Sequence, residues 1–97
     1  MKVFKDLVFE TKFGGGIGAK MDFDNGFSIS VVAGGFAYCT PREDKDSPDD
    51  FSAFEIAVFD PQGNWATKQF VSDLDDDVLG WQERDQINAL MLLVQSS

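Results

Sequence analysis

Ala19-Lys20-Met21-Asp22-Phe23-Asp24-Asn25-Gly26-Phe27-Ser28-Ile29-Ser30-Val31-Val32 decides the fold of this chain. Ala19, Met21 and Phe23 alternate with polar residues, and Phe27, Ile29 and Val31 do so again. A period of two belongs to a strand with one buried face. Asp24-Asn25-Gly26 separates the runs as a turn. A two-residue loop at Asn25-Gly26 would set Phe23 against Ser28 and mix the faces. A three-residue loop, with Gly26 in the left-handed region, sets Phe23 against Phe27, Met21 against Ile29 and Ala19 against Val31. Directly opposed residues share a face, so this second register keeps the apolar set together.

Upstream, Val3, Leu7, Phe9 and Phe13 fall on odd positions, and residues 6–13 read as a half-buried strand. Gly14-Gly15-Gly16-Ile17-Gly18 follows. A phosphate-binding loop requires Gly-Lys, then Ser or Thr, then a helix, whereas Ala19-Lys20-Met21 opens a strand. The glycine run therefore reads as a connection between adjacent antiparallel strands.

Downstream, Ala33-Gly34-Gly35 ends the second strand, and Phe36-Ala37-Tyr38-Cys39 either continues it past a bulge or forms a short strand of its own. Residues 41–50 hold two prolines, mostly negative charges and no large apolar side chain, so they form an acidic loop. Residues 51–59 are a strand, with Phe54, Ile56 and Val58 on one face and Ala53, Glu55, Ala57 and Phe59 on the other. Asp60-Pro61-Gln62-Gly63 turns it back so that Phe59 faces Trp65, with a returning strand at 64–71. After the acidic stretch 72–77, residues 82–94 read as a helix: Ile87, Leu90, Met91 and Val94 mark one face, and Leu92 and Leu93 widen the stripe. Trp81 is expected to pin the helix entry. The expectation is a single α+β domain over 1–97: an antiparallel sheet of four to five strands, built from two Gly-turn hairpins and packed by one C-terminal helix.

Charge narrows the function classes. The chain of 97 residues carries a net charge of −9. Residues 1–40 balance four lysines against four acids, so the whole excess lies in 41–97. Such a chain repels nucleic-acid phosphates and suits basic surfaces on other proteins instead. There is no histidine, and the single Cys39 lacks an activating partner of that type, so it reads as a small buried side chain. The acids lie in exposed-looking runs rather than as a pair across a cleft, which argues against carboxylate catalysis. Asp73-x-Asp75-Asp76-Asp77 and Asp22-x-Asp24-Asn25-Gly26 lack the Glu that ends a calcium loop, so no dedicated metal site and no cofactor are expected. The one long apolar run, 89–94, is too short to span a bilayer, and no leading apolar segment resembles a secretory signal. With one cysteine, a cytoplasmic setting is expected.

The pieces Phe23-Asp24-Asn25-Gly26-Phe27-Ser28-Ile29-Ser30-Val31-Val32, Phe54-Glu55-Ile56-Ala57-Val58-Phe59-Asp60 and Asp76-Asp77-Val78-Leu79-Gly80-Trp81 resemble a group of small, mostly uncharacterised proteins encoded by bacteriophages and prophages. These share an FDNG…SVV hairpin, an E-x-AV strand, a DDVxGW stretch and a C-terminal helix. The acidic residues 41–50 depart from that pattern as an insertion. The resemblance implies a phage accessory function in the cytoplasm of a host bacterium. By class analogy, it extends to acidic inhibitors of host defence nucleases.

The expected function is accordingly non-enzymatic: binding a host or phage protein that has a basic surface, with no direct nucleic-acid or membrane partner. Asp44, Asp46, Asp49, Asp50, Asp73, Asp75, Asp76 and Asp77 are the candidate contact residues. They would imitate a row of phosphates, as a DNA mimic does, if the two loops lie on one side. A small structural module, such as a homodimer, is the alternative, because two-sided apolar patterning in 53–59 fits an uncovered second sheet face. A carboxylate-dependent enzyme ranks third.

Overall fold

A computed structural model describes all residues from 1 to 97. Five antiparallel strands pair in chain order: β1 (Glu10–Thr11), β2 (Ile17–Asp22), β3 (Ser28–Ala33), β4 (Phe54–Phe59) and β5 (Leu79–Gln82). Two α-helices complete the fold, a single turn α1 (Thr67–Phe70) and the C-terminal α2 (Arg84–Gln95). The α+β architecture is the expected one.

The central hairpin takes the three-residue register. Met21 pairs with Ile29 and Ala19 with Val31, and the Phe23 N–H donates to the Phe27 carbonyl at 2.8 Å. Gly26 closes the turn at φ +92°, a conformation that a Cβ would oppose. Sorting by burial explains the register. Ile17, Ala19, Ile29, Val31, Ile56 and Val58 form one buried face under α2. A slip of one residue would turn all of them to water, at roughly 1.5–3 kcal/mol for each large side chain.

Helix α2 supplies Ile87, Leu90, Met91 and Val94 to that core. Leu92 and Leu93 do not widen the stripe; they are 41% and 51% exposed. They lie about 100° and 200° around the helix from Met91, which carries them off the sheet side. The hairpin turn also closes the helix end. Asn25 Nδ2 donates to the carbonyl of Val94 at 2.8 Å and lies 3.4 Å from that of Gln95, satisfying groups that a helix C-terminus leaves open.

Three expected elements differ. The strand over 6–13 shrinks to β1, because Phe4–Asp6 coils into a 3-10 turn and Phe4 and Phe9 fold in against Phe54, at ring separations of 5.1 and 5.8 Å. Phe13 is left fully exposed at the apex of the β1–β2 turn. The returning strand over 64–71 amounts to one bridge, Phe59 with Trp65, before α1 begins. There the Thr67 hydroxyl accepts the Val58 N–H at 2.9 Å, replacing a ladder bond with a side-chain one. The fourth pairing of the sheet comes instead from β5, which carries Leu79 and Gly80-Trp81. Residues 36–39 form neither a continued nor a separate strand, but a turn whose end is tied by a Thr40–Ala53 bridge.

Candidate interaction surface

The eight candidate aspartates fall into two sets that join the sheet at different points along β4. Residues 41–50 join the sheet where β4 starts, through the Thr40–Ala53 bridge. Residues 73–77 follow the other end of β4, by way of α1, and run into β5, whose first residue Leu79 pairs with Ile56. Asp44, Asp46, Asp49 and Asp50 therefore leave from one end of β4, and Asp73, Asp75, Asp76 and Asp77 approach from the other.

The 41–50 loop is fastened at several points. Asp44 Oδ1 accepts the Gly35 N–H at 2.8 Å, and its carboxylate lies against Gly15 of the β1–β2 turn. Ser47 caps a 3-10 turn at Pro48–Asp50 by accepting the Asp49 N–H at 3.2 Å. Arg84, at the start of α2, donates to the carbonyls of Phe51 at 3.0 Å and Pro48 at 2.7 Å, and its guanidinium lies 5.1 Å over Phe4 and 5.2 Å over Phe54. The planar, forked guanidinium suits both tasks at once. With the backbone held, Asp46, Asp49 and Asp50 point their charge to water. In the other set, the Asp77 N–H donates to Asp76 Oδ1 at 2.7 Å, a contact between neighbours, and Asp73 takes φ +60°.

Beside the 41–50 loop, Tyr38 and the edge-strand residue Trp81 form an aromatic ledge. Trp81 does not pin the helix. It is 55% exposed, stacks on Tyr38 with ring centroids 5.2 Å apart, and adopts φ +52°. A bulge between the Phe54–Gln82 and Ile56–Leu79 pairs lifts it out of the ladder. The Trp81 N–H donates to the Tyr38 carbonyl at 2.9 Å, and the Tyr38 N–H donates to Glu55 Oε1 at 3.1 Å. Gly80 permits the contact, since a Cβ there would stand 2.7 Å from the Tyr38 Cβ. Arg42 places its guanidinium 5.2 Å from the centre of the Tyr38 ring. The signal in the sequence was Gly80 beside an aromatic residue, a pairing that marks a close approach only once the neighbour is known.

Other features carry less. A cleft of about 520 Å³ is lined by Lys2, Asp6, Asp22, Asp24 and Asn25 among others. Asp6 already accepts the Val3 N–H, and Asn25 is committed to the helix end. No group of three or more Asp, Glu or Cys side chains is arranged to hold a metal ion. Cys39 is buried, with its Sγ within 3.3 Å of the Gly34 N–H and 3.2 Å of the Gly34 carbonyl. The second sheet face is made of Lys20, Ser30, Ala57 and their neighbours, and Ala57 is buried. No helix is long and apolar enough to cross a membrane. No protein-family model, curated protein or solved structure matches this chain.

Proposed function

We propose that this is a non-enzymatic accessory protein of phage type that acts by binding a host or phage protein. In this reading it occupies a basic surface of that protein and inhibits a host defence or nucleic-acid-binding factor within the bacterial cytoplasm. The observation that carries the reading is the fastened 41–50 loop, whose carboxylates face water beside exposed aromatic side chains. A loop held in place loses less entropy on docking than a free one, so its charges can serve recognition as well as solubility. The net charge of −9 supports a basic partner and opposes nucleic acid. The resemblance to phage-encoded proteins supports the accessory role.

The test is affinity capture from infected bacterial lysate, comparing the parent protein with a variant that has Asp46→Asn, Asp49→Asn and Asp50→Asn. One host or phage protein should be retained by the parent and lost from the variant, with the difference narrowing as salt is raised. Equal retention by both proteins would remove the electrostatic account. Sedimentation of the purified chain at high concentration addresses the homodimer alternative, which requires a mass above that of the monomer.

A further inference from the structure

We propose that the Tyr38–Trp81 ledge is the seat for an arginine or lysine side chain of the partner protein, the anchor beside which the 41–50 loop docks. The proposal rests on the protein-binding reading and gives it a contact point.

Burial does not explain Trp81. More than half of the side chain is in water, although its backbone takes a φ of +52° that bulky residues rarely adopt. Blunting an edge strand explains the bulge but not the indole, because any polar side chain would serve there. The ledge is also rigid before anything binds. Glu55 holds the Tyr38 N–H, the Tyr38 carbonyl holds the Trp81 N–H, and Gly80 lets the two aromatic residues close up.

The chemistry of the occupant follows from what the ledge already does. The Tyr38 ring carries the guanidinium of Arg42 at 5.2 Å, so one of the two rings already receives a cation. Indole attracts cations more strongly than phenol does. Glu55 lies against Tyr38. Along the chain, Glu43 and Asp44 follow Arg42, and Glu83, Arg84 and Asp85 follow Trp81, with the Arg84 guanidinium turned away to the Phe51 and Pro48 carbonyls. These acids favour a cationic side chain on the ledge and repel a phosphate, which selects a basic protein segment over nucleic acid. Exposed tryptophan beside arginine and tyrosine is also the composition that dominates binding energy at protein interfaces.

The test uses the full chain with Trp65→Phe, so that Trp81 is the one indole, and two probes: an arginine–glycine repeat peptide and a glutamate–glycine repeat peptide. The arginine peptide should change Trp81 emission saturably, and the glutamate peptide should leave it unchanged. By calorimetry, Trp81→Gly and Tyr38→Leu should each weaken the arginine peptide about fivefold. Glycine adopts the left-handed conformation freely, so the circular dichroism of Trp81→Gly should match the parent and separate lost binding from lost folding. Peptide binding with unchanged Trp81 emission, or undiminished by Trp81→Gly, would overturn the seat while leaving the acidic-surface reading standing. An equal response to the glutamate peptide, or no binding of the arginine peptide, would overturn the seat as well. The acidic-surface reading would then stand or fall on the lysate capture alone.

Discussion

Loops 41–50 and 71–78 are built from the same kind of residue, yet the fold treats them differently. The first is tied to three other parts of the chain: the backbone at Gly35 and Gly15 meets Asp44, and the Arg84 side chain reaches two carbonyls at its far end. Within the second, the aspartate contact is between adjacent residues. Acid content measures how strongly a surface repels phosphate. It does not measure whether the charges hold a fixed arrangement, and only a fixed arrangement distinguishes one basic partner from another.

The comparison is broken most directly at Arg84. Arg84→Ala removes two hydrogen bonds and the guanidinium cover over Phe4 and Phe54, and should cost about 2–4 kcal/mol in urea unfolding. Amide exchange in 41–50 should then rise toward that of 71–78. Arg84→Lys should recover little, since one ammonium cannot span both carbonyls in the plane of the fork. If Arg84→Ala leaves exchange in 41–50 unchanged, the loop is held by something else.

Gly80→Ala is next in expected size. The added methyl meets the Tyr38 Cβ, so the ledge must open, at about 1–3 kcal/mol. Amide resonances from Tyr38 to Arg42 should shift while those of 71–78 stay in place. A stability equal to the parent would show that Tyr38 moves freely.

Neutralising single loops sharpens the contrast further. Asp44→Ala gives up the bond to the Gly35 N–H and should cost about 1 kcal/mol, with faster exchange at Gly35. Changing Asp73, Asp75, Asp76 and Asp77 together to asparagine should alter stability by no more than about 0.5 kcal/mol. A larger loss in the second variant than in the first would reverse the assignment of which loop is structured.

The smallest effect belongs to Asp60, in the turn that closes the Phe59–Trp65 bridge. The backbone N–H of Asn64, 2.9 Å from Asp60 Oδ1, is the largest influence and holds this carboxyl below its ordinary value; desolvation opposes it, and Asn64 Nδ2 and the Gln62 N–H add smaller lowering effects. A lowered folded pKa means that the contribution is complete above the unfolded value. It fades as pH falls through the folded one. The stability gap between the parent and Asp60→Ala should thus be widest near neutral pH and shrink in strong acid, as denaturant midpoints would report. A gap independent of pH would mean that the charge on Asp60 has no part in the turn.

How far the sequence could be read depended on how local each signal was. Phe23 and Phe27 were placed correctly because alternation and a Gly-ended turn lie within a few residues of each other. Ile87, Leu90, Met91 and Val94 were placed correctly because helical spacing is equally local. The strand over 64–71 failed because the Thr67 hydroxyl, nine residues from its partner, competes for the Val58 N–H. Leu79 and Gly80-Trp81 gave no alternation, so β5 was invisible until β4 offered an edge. The aspartates were legible as exposed acids, but their division into two ends was not.

Residue order alone settled the hairpin register, the buried face of α2 and the sign of the surface, since each follows from neighbours at short separation and from charge. Which acidic loop is held, and where Trp81 points, were left to contacts between distant segments: Arg84 with Pro48, Asp44 with Gly35, Gly80 with Tyr38. Those contacts exist only after the chain has closed on itself, because a hydrogen bond or a close approach requires both partners in place, and no spacing along the chain encodes the second one.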